Sequence, residues 1–149
     1  MNEASPRPDK LSVIVFSGEY EKVHYALATA AAAAAINIPV TLFFTMGAIR
    51  ALGANDAQGQ PGWHRLSVGQ VGFPKANSAD ETMRARGVVG FAELLDACVA
   101  MDVKLMVCEM GLRAVDVNAD SLRADLTIES GGLVTFLNDA KESGSMLFI

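Results

Sequence analysis

Residues 11–44 read LSVIVFSGEYEKVHYALATAAAAAAINIPVTLFF, and the order of patterns in this stretch decides the fold. Leu11 to Phe16 is short, apolar and β-branched, and the turn residues Ser17 and Gly18 end it, which predicts a strand. Gly18, with Glu21 three residues later, suits the start of a helix from about Glu19 to Ile36. In that helix Val23, Leu27, Ala30 and Ala34 form one apolar stripe. Its opposite face is almost all alanine after His24. A helix apolar all round is buried on more than one side, so a subunit contact is expected there. Asn37 and Pro39 stop the helix. Val40 to Phe44 then forms a strand with no polar alternation, as a strand buried on both faces does. Strand, helix and strand in this order make a parallel pair joined by a right-handed crossover.

The rest of the chain repeats the alternation. A short helix is expected around Met46 to Leu52. From Gly53 to Gly87 periodicity is lost over a stretch with six glycines and two prolines, read as an insertion at about 53–87. Within it, Ser78 followed by Asp80 and Glu81 reads as a capping box for one short helix, with Arg84 and Arg86 in its last turn and Gly87 to end it. Val88 to Met101 is helical, burying Phe91, Leu94, Leu95 and Cys98. Strands follow at Val103 to Val107, more weakly at Asp125 to Ile128, and at Ser145 to Ile149. Between them lie a short helix from Glu109 to about Val115 and one opened by Gly131 and Gly132. The second has Leu133, Phe136, Leu137 and Ala140 as its inner face and Gly144 to close it. The expected fold class is α/β, a five-stranded parallel sheet with helices on both faces, over 11–149 after a polar tail at 1–10.

Composition narrows the function classes. The chain has 149 residues, enough for one core that buries roughly 70% of the unfolded surface. Apolar residues make up 51% and charged ones 19%, so an unusually large fraction is buried, some of it between subunits. A net charge of −5 offers no footprint for nucleic acid. The stretch from His24 to Arg50 holds no charge between its ends and is long enough to span a membrane. The alanine run supplies little transfer energy, however, and Asn37 and Pro39 interrupt it, so a buried helix followed by a buried strand is expected instead. Nothing resembling a signal peptide begins the chain and two cysteines make no disulfide framework, so a reducing cytoplasm is the expected compartment.

Familiar chemical signatures are missing. The turn after the first strand, SGEYEK, carries neither a dinucleotide fingerprint nor a phosphate loop. His24 and His64 stand alone, without partners at metal-ligand spacing, so no metal and no cofactor are expected. Attention falls on Cys108, where a strand ends and a helix begins. Amides at a helix start favour thiolate, while a nearby Glu109 carboxylate would oppose it. The other reading is a small apolar residue closing a strand. Cys98, on the buried face of its helix, reads as an ordinary core residue. The two should lie at opposite ends of the sheet, ~10 Å or more apart, whereas a disulfide needs Cα atoms within about 7 Å.

The segment VKLMVCEM (Val103 to Met110), preceded by FAELLDACVAMD and followed by SGGLVTFLNDAKESGSMLFI, resembles the DsrE/DsrF-like family, most closely its branch with a long insertion and two cysteines ten positions apart. Strand one with its SG turn and the stretch from Ala26 to Thr45 resemble that family's first βαβ unit. The resemblance implies a three-layer α/β/α sandwich, an oligomer, and a sulfur atom bound as a cysteine persulfide for transfer to a partner. Cys98 and Cys108 both match family cysteines. Some members of the family are described as peroxiredoxin-like, but no peroxidase motif is present here. The chain departs from its branch after the cysteine, with Gly111-Leu112 and Val115-Asp116 in place of a Ser-Met and a Met-Gly pair, which points to a different partner or activity.

These readings converge on a cytoplasmic sulfur carrier or sulfurtransferase-like protein that loads Cys108 and exchanges sulfur with donor and acceptor proteins. Cys98 is a second thiol. Gly111 lines the pocket, with Thr45 and Ser130 as walls on neighbouring strand ends. Trp63, His64, Arg65 and Lys75 in the insertion belong either to a lid or docking surface or to a solvated loop. The alternative function is a non-enzymatic oligomeric module that binds a small ligand and holds Cys108 as an incidental buried thiol.

Overall fold

The computed structural model describes residues 6–69 and 72–149. Five strands form one sheet, β1 (Leu11–Val15), β2 (Val40–Phe44), β3 (Lys104–Cys108), β4 (Ile128–Gly131) and β5 (Ser145–Phe148), in the order β4-β3-β2-β1-β5. Every pairing is parallel. The helices are α1 (Tyr20–Ala35), α2 (Ala76–Ala85), α3 (Phe91–Ala100), α4 (Glu109–Ala114) and α5 (Leu133–Asp139), with 3-10 turns at Met46–Leu52, Gly62–Arg65 and Ala119–Ser121. Among the described residues no helix is long and apolar enough to cross a membrane.

Strand order decides which face each helix covers. From β1 to β4 the chain steps three times in one direction, and right-handed crossovers place the connecting elements on one face. The fourth connection returns across the whole sheet from β4 to β5, which puts α5 on the other face. Register agrees. Val13, Leu42 and Leu105 lie side by side and pack with Val23, Leu27, Leu95 and Leu112 from α1, α3 and α4. Ile14, Phe43 and Met106 form the opposite row, where Phe43 and Met106 pack with Phe136 of α5. The sandwich is therefore unequal, thick on the first face and one short helix deep on the second.

On the first face, α3 packs along α1 and the Cys98 thiol donates to the Leu27 carbonyl at 3.4 Å. Ala28 and Ala31 pack against this core, so the alanine face read as a subunit contact is partly covered within the chain. Small side chains let the two helices approach. Trp63, Leu66, Ala76 and Ala79 from the stretch expected to be an insertion belong to this layer too. Trp63 is 7% exposed, stacks on Phe91 with centroids 5.0 Å apart and lies 6.0 Å from Tyr20. Asp80 accepts from the Tyr20 hydroxyl at 2.6 Å and from the Phe91 amide at 2.7 Å, with no exposure to speak of. Burial, and then this carboxylate, push the Tyr20 phenol far above its ordinary range, so it stays a donor. A solvated loop is thus the wrong description of the part around Trp63, which an indole anchors.

Several expected boundaries shift. α2 begins at Ala76, with Lys75 as N-cap, so Ser78 lies inside the helix and caps nothing. Gly87 does end that segment, at φ +85°. β4 starts at Ile128, the residue where a strand was expected to finish, because Asp125 sits in a turn held by Arg123 through hydrogen bonds of 3.0 and 2.7 Å. In α5 only Phe136 is buried, while Leu133 and Leu137 face outward. The polar tail also enters the fold at its end, since Lys10 is buried; residues 1–5 of that tail lie outside the described residues.

Two contacts hold α5 to the sheet. Phe136 stacks on Phe43 with centroids 4.7 Å apart. At the other end of the helix, Asp139 accepts from Lys104 Nζ at 2.6 Å and from Thr41 Oγ1 at 2.5 Å, and pairs with Lys10 Nζ at 3.1 Å. It thereby ties α5 to β3, β2 and the start of β1. Burial pushes this carboxyl up, but the hydrogen bonds from Lys104, Thr41 and Lys10 outweigh it and hold the acid at about 2. A carboxyl lowered in the folded state contributes stability above its ordinary value near 3.9 and loses it as pH falls toward the folded value. Asp139→Asn should therefore cost ~2 kcal/mol at neutral pH. In urea titrations from pH 7 to 2, the gap between wild type and variant should close between about pH 4 and 2. A gap that persists unchanged at pH 2 would show that the charge is not what holds the helix.

Candidate functional site

Cys108 ends β3 and caps α4, with φ −78° and ψ 120°, and its Sγ accepts from the Gly111 amide at 3.4 Å. Cysteine can do this because the cap position leaves the chain extended while the next residues turn, aiming the side chain back at the third amide. α4 has only six residues, so this one N–H, rather than a long helix dipole, is the local donor to sulfur. Glu109 is exposed and faces water, which screens the opposing charge. Cys108 as a whole is 1% exposed and shares a small apolar cluster with Phe43, Met106 and Phe136.

Gly111 is a packing requirement. A Cβ there would stand 2.5 Å from Thr45 Oγ1 and 2.9 Å from the Met46 amide nitrogen, so only glycine lets α4 lie against the turn after β2. The same turn touches the one after β1, where a Cβ on Gly47 would reach within 2.9 Å of the Gly18 Cα. Gly111 thus lies between Cys108 and Thr45 at the carboxyl edge of the sheet.

Ser130 is not part of this group. It lies within β4, paired with Val107 and pointing to the first face, while the neighbouring Gly131 pairs with Cys108. The late start of β4 moves Ser130 into the strand and onto a separate cleft of about 300 Å³ lined by Val107, Leu126, Ile128 and Arg123. Cys98 is also apart. It belongs to the first-face core and Cys108 to the second, so the sheet stands between the two free thiols. Burial pushes the Cys98 thiol up to about 11, which leaves it protonated near neutral pH.

The turn after β1, where open α/β sheets often receive a phosphate, is closed by the chain itself. The Tyr20 amide donates to the Ser67 carbonyl at 2.7 Å and the Glu19 amide to Ser17 Oγ at 3.1 Å. His24 Nε2 donates to the Val89 carbonyl and so ties α1 to the link before α3, while His64 Nδ1 donates to Gln60 Oε1 four residues earlier in the chain. Among the described residues no three His, Cys, Asp or Glu side chains converge as metal ligands. From sequence, Asp80 reads only as part of a capping box and Asp139 is not singled out, because their partners are distant in the chain. One signal for Asp139 was present: a carboxylate in the last turn of a helix opposes the dipole and calls for cations from elsewhere.

Comparison with known proteins places this geometry among relatives. Residues 7–148 match the DsrE/DsrF/DrsH-like family. The uncharacterized protein YrkE of Bacillus subtilis is 26% identical over 156 aligned positions, covering 94% of this chain and 96% of that one. The crystal structure of the Escherichia coli ychN protein superposes with a TM-score of 0.55 at 15% identity, covering 94% of this chain and 99% of the other. MTH1491 of Methanobacterium thermoautotrophicum, a protein of unknown function, gives 0.57 at 10% identity, with 94% and 98% covered. The two structures share the parallel α/β fold, and the match along nearly the whole sequence carries the assignment: the chain belongs to the DsrE/DsrF/DrsH-like family.

Proposed function

We propose that the protein is a sulfur carrier whose Cys108 holds sulfane sulfur as a persulfide and passes it to an acceptor thiol. The observation that supports this most directly is the Gly111 amide aimed at the Cys108 sulfur, in a member of a family commonly associated with sulfur relay. The Cys108 thiolate attacks the outer sulfur of a donor persulfide, forming one S–S bond as the donor's S–S bond breaks and its thiolate leaves. In the second step an acceptor thiolate attacks the outer sulfur on Cys108, and the Cys108 thiolate departs. No oxidant is consumed and no disulfide with Cys98 is required. An N–H donor stabilises the anionic sulfur that enters or leaves in each step. Such exchange suits a reducing compartment such as the cytoplasm, with separate donor and acceptor proteins.

The burial of Cys108 among Phe43, Met106 and Phe136 favours the other reading, a binding module with an incidental thiol. Loading with a sulfane-sulfur donor separates the two. Wild type and Cys98→Ser should each gain one sulfur, about 32 Da, on Cys108 and lose it to a reductant, while Cys108→Ser gains none. Equal loading of Cys108→Ser sinks the carrier reading.

Self-association belongs to the same proposal, through a surface other than the alanine face of α1. β5 is an edge strand whose four residues are all exposed and uncharged, with Phe148 66% exposed and 5.3 Å from the half-exposed ring of Phe16. Natural edge strands are usually blunted by charge, proline or a bulge, and this one is not. Phe148→Glu should convert the sedimenting species from oligomer to monomer without loss of the folded spectrum. Wild type that sediments as a monomer at high concentration would remove the basis for self-association.

A further inference from the structure

Every step of sulfur exchange needs the Cys108 sulfur in line with a second sulfur, yet the residue is 1% exposed. Part of the chain has to move, and the second face offers one element. We propose that α5 is a hinged cover over Cys108 that lifts about Gly131–Gly132 while the first-face layer stays folded. The purpose assigned to the motion rests on the carrier reading; the motion itself does not.

Position comes first. Gly131 is the register partner of Cys108, and a Cβ on it would lie 3.0 Å from Thr135 of α5, so the helix begins directly beside the cysteine strand. Its Phe136 belongs to the same apolar cluster as Cys108. Lifting α5 removes that ring and opens the thiol from the second face, whereas on the first face α1 and α3 are packed on each other and on the insertion.

Attachment is slight. Phe136 is the one buried side chain of α5, while Leu133, Val134 and Leu137 are 45%, 72% and 55% exposed and lose little when the helix moves. The remaining tie is the Asp139 carboxylate with Lys10, Thr41 and Lys104. A seven-residue helix is not stable by itself, so lifting and unwinding are one event.

The hinge has a local signature. Gly132 is extended at φ −99° and ψ −176°, a conformation open to any residue, and a Cβ there would meet nothing within 4 Å. Neither backbone angle nor space calls for glycine. What glycine adds at this position is rotational freedom. It is also the N-cap of α5 and supplies no side-chain acceptor for the first amides.

The two cysteines make the test internal, because Cys98 reports opening of the first-face layer and Cys108 opening of α5. Native protein is alkylated with iodoacetamide across urea concentrations below the unfolding transition. Each thiol's rate is mass-mapped and divided by its rate in fully unfolded protein, so intrinsic thiol acidity cancels. Cys108 should react at least about tenfold faster than Cys98, with a shallow urea dependence, as expected for local opening. Gly132→Ser, which suits the extended N-cap, should slow Cys108 by about two- to fivefold. Asp139→Asn should speed it by about tenfold.

A single rate and a single steep urea dependence for both thiols would show that Cys108 opens only on global unfolding and would overturn the cover. A shallow dependence with no change in Gly132→Ser would overturn the hinge. These outcomes are independent of sulfur loading: local opening of a Cys108 that never takes sulfur defeats the carrier reading alone, and sulfur loading with one common alkylation rate defeats the cover alone.

Discussion

The handedness of the crossovers is the constraint on which the rest of this structure depends. Three right-handed steps in one direction stack α1, α2, α3 and the insertion on the first face of the sheet, and the single return step leaves α5 alone on the second. Strand order thereby decides how much cover each face receives, before any side chain is considered. The first face is closed by aromatic stacking of Trp63 on Phe91 and by the buried Tyr20–Asp80 pair. The second is closed by one stacked pair of rings and one carboxylate. Its exposed apolar residues Leu133, Val134, Leu137, Met146 and Phe148 follow from the same asymmetry.

Because β-strand side chains alternate, that asymmetry sorts the two cysteines. Cys98 comes from a helix of the thick layer, where burial makes its thiol a weaker acid and its hydrogen goes to the Leu27 carbonyl. Cys108 ends a strand with its side chain toward the thin layer and accepts a hydrogen bond instead of donating one. The difference between a donor thiol in a sealed core and an acceptor sulfur under a single short helix is a difference of position, since the residue type is the same. Glycines at 18, 47 and 111 let three turns crowd together at the carboxyl edge, and the N-cap geometry of Cys108 brings the Gly111 amide within reach of its sulfur.

Much of the fold was legible in the order of patterns. Four of the five strands and the main helices fall near their expected places, because apolar runs and helical stripes are local signals that burial on a parallel sheet reinforces. The failures were local too. Ser78 looked like a cap but lies two residues inside its helix, and DLTI looked like a strand but is mostly the turn braced by Arg123 and Asp125. In both cases a short motif fits two readings, and the choice is made by packing: Ala76 and Ala79 are buried, and Ile128 aligns with Leu105.

By itself the sequence determined the fold class, the parallel sense of the sheet and the place of Cys108 at a strand end, since each depends on neighbours within a few residues or on a rule of chain handedness. Only the tertiary structure decided which face each strand residue meets. It moved Ser130 away from Cys108, covered part of the alanine face of α1 with α3, built the region around Trp63 into the core, and joined Asp139 to Lys10, Thr41 and Lys104. The physical reason is the same for all four. Register changes in steps of one residue, each step reverses the face, and side chains distant in the chain become neighbours only once every strand has taken its register.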